Sequence, residues 1–282
     1  MSPATVVTRF APSPTGQLHL GHAHSALFAH RVAREAGGKF LLRLEDIDPV
    51  RCRPEFATAI LEDLAWLGLA WEQEVRVQSQ HLPDYRAVLD QFSARGLLYP
   101  CFCTRADIAR EIAASAHAPH GPDGVLYPGT CRILSPAERQ ARIDAGTPYA
   151  LRLDMARAVA EAGALSFIDG EDTGTATPEI FGDVVLGRKD VPASYHLCVT
   201  HDDAAQGVTL VTRAEDLRPA AHLHRLLQAL MGWPVPRWRH HALLLGADGR
   251  RYAKRDRGVT LRDLRAAGRS PSELRAMAGL PD

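Results

Sequence analysis

Apolar residues change their spacing several times along the chain, and each change marks an element. TVVTRF (5–10) is a short β-type run that enters a proline-rich loop, APSPTGQ; LHLGHAHSALFAHRVAREAGG then has helical spacing closed by Gly37. FLLRLEDID (40–48) predicts the next strand, Pro54 opens a helix ending near Gly68, and residues 82–95 form another. Alternating strands and helices predict a parallel sheet covered by helices on its faces.

The pattern breaks at Tyr99. YPCFCT, a Pro/Gly/His-rich stretch from Ala116 to Gly129, and Cys131 read as an inserted, loop-rich module, followed by a capped helix start at Ser135, Pro136 and Glu138. The α/β pattern resumes near Leu165, with FGDVVL (181–186) and VTLVTR (208–213) as strands and 218–231 as a helix. Two small helices close the chain, opened at Thr260 and at Ser270, Pro271 and Glu273. The expected fold is α/β, a Rossmann-like parallel sheet in two halves (1–98 and 165–233), split by the module at 99–164 and followed by a short basic helical segment at 234–282.

Composition narrows the class. A chain of 282 residues, 46% hydrophobic and 23% charged, can bury a large core, or a core plus an inserted module, which excludes disorder. No run approaches the ~20 apolar residues of a membrane helix, and MSPATVVTRF lacks the regions of a signal peptide, so a cytoplasmic location without membrane contact is expected. Five cysteines in such a compartment argue against a disulfide framework, and the C-x-C of Cys101 and Cys103 points to a metal, leaving Cys52 and Cys198 as ordinary thiols. Lys+Arg and Asp+Glu both number 33, which gives no overall basic surplus. Residues 250–275 nevertheless hold nine basic side chains against three acidic ones, which suits a polyanion such as RNA or a solvated helix face.

The densest chemical signal is RFAPSPTGQLHLGHAHSAL, from Arg9 to Leu27. Small residues and prolines turn the chain at a strand end, and the next helix offers free N–H groups and a positive dipole end to a phosphate. His19 and His22, three apart, share a helix face there and can donate to oxygens that gain charge during nucleotidyl transfer. Farther on, LLLGADGRRYAKRDRG carries Lys254, one of three lysines in a chain of thirty arginines. A compact ammonium on a flexible stem suits a loop that closes over phosphate charge.

These two strings resemble the signatures of class I aminoacyl-tRNA synthetases. PSPTGQLHLGH is similar to the HIGH motif, with Leu20 for its isoleucine, and the flanking RFAPSPTG is the form of the glutamyl branch. Arg251 to Arg255 aligns with KMSKS and departs from it at Arg251 and Ala253. The resemblance implies ATP binding by Thr15, Gly16, His19, Gly21, His22 and Lys254, with His19, His22 and Lys254 catalytic and Mg²⁺ held mostly by the ATP phosphates. It implies a glutamate site at Arg9, Phe10, Ala11, Pro12, Ser13, Glu45, Tyr195 and Arg213, with Ala214 where the family usually has glycine. Asp46 and Asp48 are read as exposed acidic positions. It also implies one structural zinc ion on Cys101, Cys103, Tyr127 and Cys131, while His117, His120 or water compete for the fourth place.

The implied activity is tRNA-independent conversion of L-glutamate and ATP to glutamyl-adenylate, followed by transfer to a nucleic acid. Only about twenty-five residues follow the second motif, too few for the usual helical anticodon-binding domain. That matches the glutamyl-queuosine tRNA(Asp) synthetases, whose acceptor is the queuosine base in the anticodon stem-loop of tRNA(Asp), and a monomer is expected. The competing expectations are a conventional glutamyl-tRNA synthetase core with a separate tRNA-binding partner, and an HxGH nucleotidyltransferase or inactive zinc-containing RNA-binding module.

Overall fold

The structure is a computed structural model that describes residues 5–114, 120–189, 191, 193–244 and 259–280. The elements in the first part are β1 (Val7–Phe10), α1 (Leu20–Glu35), β2 (Lys39–Leu44), α2 (Pro54–Trp66), β3 (Arg76–Val77) and α3 (Leu82–Ala94). Next come β4 (Leu98–Cys101), α4 (Arg105–Ala114), the hairpin β5 (His120–Gly121) and β6 (Gly124–Val125), α5 (Pro136–Asp144), β7 (Ala150–Leu153) and α6 (Met155–Ala162). The remainder is β8 (Ser166–Asp169), β9 (Asp172–Thr175), β10 (Val185–Gly187), α7 (Tyr195–Ala205), β11 (Leu210–Ala214), α8 (Ala220–Met231), β12 (Arg237–His241), α9 (Leu261–Ala266) and α10 (Pro271–Met277).

β1, β2 and β3 pair in parallel, and so do β11, β12 and β8, with β9 added antiparallel at the edge. The two sets meet where the amide of Thr209 donates to Val7 O (3.0 Å) and Val7 N donates to Thr209 Oγ1 (2.8 Å). The layer therefore runs β3-β2-β1-β11-β12-β8, and the chain reverses its winding between β1 and β11. Ligands bind at such a reversal, outside the carboxyl ends of the strands.

Helices cover both faces, as alternation predicts. One core joins α1, α2 and β2 to Leu261, Leu264 and Leu274 of the last two helices, and a second packs α3, α6, α7 and α8 together. The basic tail is thus anchored by an apolar stripe, and several of its cations are engaged: Arg265 lies over the Trp66 ring, Arg269 pairs with Glu273, and Arg275 donates to Leu67 O.

Several elements differ from expectation. β2 stops at Leu44, because Asp46 turns to accept from the amide and hydroxyl of Ser79 and Asp48 accepts from the amides of Val50 and Arg51. FGDVVL is not a strand of the parallel sheet. Phe181 ends a 3₁₀ turn, Asp183 is drawn inward by Tyr99 Oη and the Met155 amide, and β10 pairs antiparallel with β7 in a separate β10-β7-β4 sheet. α7 escapes pattern reading because Leu197 to Thr200, Asp202 and Asp203 are all buried, leaving no polar face to alternate with an apolar one.

Candidate active site

After β1 the proline loop is pinned by two carbonyls: Pro12 O accepts from Glu45 N (3.0 Å) and Pro14 O from Arg53 N (2.9 Å). Phe10, Ala11, Pro12, Ser13 and Thr15 consequently wall a cavity of about 450 Å³ together with His22, Glu45 and Tyr195, and Asp48, Arg51, Cys52 and Arg188, outside the expected site, also line it. A Cβ added to Gly16 would meet no protein atom within 4 Å.

α1 begins with two histidines in the place where a Ser and a Glu more often stand. His19 is the extended N-cap, its Nδ1 accepts from Gly21 N (3.1 Å), and His22 Nδ1 accepts from His19 N (3.2 Å). A neutral imidazole has one acceptor and one donor, so each proton resides on Nε2. The rings stack 3.8 Å apart at the positive end of the helix, which suits a set of donors for an anion. Thr260, the cap of α9, forms an isolated antiparallel bridge with His19. Lys254 and the rest of 251–255 lie outside the described residues.

Beneath the cavity lies a buried network of ions. Arg9 binds Asp203 through Nε (2.9 Å) and Nη2 (3.3 Å). Arg43, fully buried, reaches Asp203 (2.8 Å) and Glu45 (3.2 Å), and Asp202 accepts from Arg76, Gln78 and Tyr85. Burial opposes every charge here. The Arg9 and Arg43 guanidiniums nevertheless hold the Asp203 carboxyl down to about 2, and Asp203, Glu45 and Asp202 keep Arg43 protonated. Burial outweighs Arg43 and Arg9 at Glu45 and pushes its carboxyl above the usual range.

Arg9 and Arg43 pair with Asp203, Arg43 also with Glu45, and Arg76 bridges Asp202 and Asp84. Arg213 makes no such pair among the described residues: it is buried with an unpartnered Nη2, while its Nη1 meets the neutral nitrogen His224 Nδ1 at 3.4 Å. Burial pulls the Arg213 guanidinium below its ordinary range. An unpaired buried charge costs several kcal/mol, a cost that an added anion would offset. Tyr195 is 37% exposed at the cavity, and its hydroxyl feels Arg213, Glu45 and Arg9 together.

Cys101, Cys103 and Cys131 bring their sulfurs within 4.8 Å of one another, a group able to hold a metal ion. Tyr127 Oη lies 3.5 Å from Cys103 Sγ and accepts from Cys131 N at 2.8 Å, and the Arg152 guanidinium sits 3.8 Å from its ring centroid. Three thiols and one phenol oxygen form an S₃O donor set that fits zinc. His120 is exposed in β5 and stands apart from the group; His117 lies outside the described residues. Two further cavities continue outward. One, of about 330 Å³, includes Tyr127, Arg188, Tyr195 and His196; the other, of about 630 Å³, carries Arg105, Arg152, Arg188 and Lys189.

Thus Phe10, Ala11, Pro12, Ser13, Thr15, His22, Glu45 and Tyr195 share one cavity, with Arg9 and Arg213 in the charge network beneath. Gly16, His19 and Gly21 do not line it: Gly16 and Gly21 adjoin Thr15 and His22 in the chain, and the His19 ring stacks on that of His22. Sequence reasoning missed Arg43, Asp202, Asp203, His196 and His224. The adjacent acidic pair in HDDAA offered a signal, since two carboxylates on a mostly apolar helix need buried cations.

The family model described as tRNA synthetases class I (E and Q), catalytic domain, matches residues 5–279. A glutamyl-Q tRNA(Asp) synthetase of Rhodobacter capsulatus is 48% identical over 98% of this chain and 100% of its own length. One of Nocardia farcinica is 45% identical over 97% and 85%. Among solved structures, a glutamate tRNA ligase of Elizabethkingia meningosepticum in complex with its amino acid aligns with TM-score 0.74 and 28% identity, over 89% of this chain and 52% of that one. The chain thus spans about half the length of that structure.

Proposed function

Because the chain belongs to the family of class I tRNA synthetase catalytic domains (E and Q), a family of ligases, we propose that it activates L-glutamate with ATP and transfers it to the queuosine base of tRNA(Asp). The observation that carries the amino-acid assignment is Arg213, a buried guanidinium with an unpartnered Nη2. A side-chain carboxylate presents two acceptors to it, whereas the amide of glutamine would turn a donor toward a donor. Glu45, with Ser13 on the same cavity, receives the α-ammonium, and Arg9 is kept rigid by Asp203.

In the first step an oxygen of the glutamate α-carboxylate attacks the α-phosphorus of ATP. The bond to the bridging oxygen breaks, pyrophosphate leaves, and glutamyl-adenylate forms. Thr15, Gly16 and the Gly21 turn place the nucleotide against α1, where the Nε2–H groups of His19 and His22 donate to oxygens gaining charge. Lys254 is assigned to the leaving pyrophosphate by its sequence pattern. Mg²⁺ arrives with ATP. In the second step a hydroxyl of the acceptor attacks the glutamyl carbonyl and AMP departs. Cys101, Cys103, Cys131 and Tyr127 would hold a structural zinc ion, which when bound ties the end of β4 to the 127–131 turn. The groove bearing Arg105, Arg152, Arg188 and Lys189 suits the phosphates of the RNA. The working location is the cytoplasm, and the working form a monomer of two sheet halves, 1–98 and 165–233, with the module 99–164 and the tail 234–282. Among the described residues no helix is long and apolar enough to cross a membrane.

The decisive assay supplies radiolabelled glutamate, ATP and tRNA(Asp) with or without queuosine. Label only on the queuosine-containing tRNA is expected. Label on queuosine-free tRNA, or on the 3′ end of tRNA(Glu), returns the chain to a conventional glutamyl-tRNA synthetase core, a reading favoured by its likeness to the glutamate tRNA ligase structure.

A further inference from the structure

A file of polar side chains runs from the inserted module to the amino-acid pocket. Asp123, in the turn between β5 and β6, stands with Oδ2 2.9 Å from His196 Nε2; His196 Nδ1 lies 3.1 Å from His224 Nε2; His224 Nδ1 lies 3.4 Å from Arg213 Nη1. The direction of every bond follows from one end. Arginine only donates, so His224 Nδ1 must accept; His224 Nε2–H then donates to His196 Nδ1, and His196 Nε2–H donates to Asp123. Both rings are neutral in this arrangement, in keeping with the burial and the Arg213, Arg9 and Arg43 charges that hold His224 well below the usual histidine range.

The near end of this file is a rigid scaffold. His224 is buried on α8, and His196, on α7, packs against Phe181 and its neighbour Tyr195. The far end is also fixed. A Cβ on Gly121 would fall 2.4 Å from Ile180 O, so the β5–β6 hairpin is seated directly on the 178–181 turn. Asp123 is therefore held by close backbone packing, although its side chain is exposed.

We propose that Asp123, His196 and His224 form a positioning chain that fixes the Arg213 guanidinium for the substrate carboxylate, so that glutamate affinity is set in part from the inserted module. This rests on the reading of Arg213 as the anchor of the glutamate side chain. Without an acceptor at His224, Arg213 has two orphaned buried nitrogens instead of one and is drawn toward Asp203 and Glu45, the carboxylates whose charges already act on it. It would then meet the substrate partly neutralised. His224 touches no reacting atom; its effect passes through Arg213 alone.

The test is glutamate-dependent pyrophosphate exchange by the full chain, with KM for glutamate and for ATP measured separately. His224→Leu is expected to raise KM for glutamate by about tenfold while KM for ATP stays within about twofold. His224→Asn restores an acceptor oxygen near the Nδ1 position and is expected to recover KM for glutamate to within about threefold of the parent. Asp123→Ala, at an exposed turn where misfolding is not a concern, is expected to raise it by about two- to fivefold. An unchanged KM for glutamate in His224→Leu or Asp123→Ala overturns the chain, as does equal behaviour of the Leu and Asn variants or a matching rise in KM for ATP. Absence of exchange with glutamate in the parent overturns the glutamate reading itself, and this inference with it.

Discussion

His19 and Thr260 pair across an isolated antiparallel bridge, with Leu261 N donating to Leu18 O at 2.8 Å beside it. Residues far apart in the chain are thereby joined at the start of α1. Thr260 follows Lys254 by six positions in the sequence, and it meets the same helix start that presents the two histidines. Leu261 and Leu274 bury completely beneath it, so the attachment is a packed one.

Lys254→Ala is expected to slow glutamate-dependent pyrophosphate exchange by about a hundredfold or more, since removing one charge donor from a developing oxyanion has that order of effect. Glutamate affinity, read by calorimetry, should persist. Unchanged exchange kinetics would remove Lys254 from the reaction.

Arg213→Gln removes the uncompensated charge. The expected result is a fall of about a thousandfold in kcat/KM for glutamate, from the loss of a buried charge-assisted pair worth several kcal/mol. The empty protein should become more stable in urea, because the unpaired cation is gone. A variant less stable than its parent would mean that Arg213 serves the fold more than the substrate.

Asp63 on α2 has a buried side chain with Oδ2 unpartnered, and burial pushes its carboxyl up to about 6 against the pull of Arg265. The folded value exceeds the unfolded one of about 3.9, so the carboxylate destabilises the fold fully above pH 6 and the penalty fades as pH falls toward 4. Asp63→Asn is expected to stabilise the protein by about 1–3 kcal/mol at pH 8 and by less than about 0.5 kcal/mol at pH 4. Urea titrations at the two pH values provide the check, and equal shifts at both would contradict it.

The purified chain is expected to carry about one zinc ion per molecule, measured by elemental analysis, and Cys131→Ser should abolish it. Tyr127→Phe should retain the site with affinity lowered by about 10- to 100-fold in chelator competition. If His120→Ala has that effect and Tyr127→Phe has none, the fourth ligand is the histidine.

What could be read from the sequence was what is local. The proline loop, the His-x-x-His helix start and the C-x-C each lie within a few residues, and the chemistry of such a string is set by its own spacing. The network beneath the cavity is assembled from β1, β2, α7 and β11, so Arg43 looks like one more strand arginine and Asp202 and Asp203 look like surface acids. Charge counting was similarly blind in the tail. Arg265, Arg269 and Arg275 add to a basic total, yet each is engaged within the chain, because Leu261, Leu264 and Leu274 turn those helices onto the core.

The histidine cap of α1 makes local folding and chemical readiness a single variable. The lone pairs that start the helix are the ones that direct both ring protons outward, so any change that frays the first turn lets the rings exchange tautomers and blunts the donors without touching a ligand. A substitution at Gly21 or Leu20 could silence this centre while every proposed ligand-contacting side chain remained in place, and a melting curve of that one helix would report on the reaction.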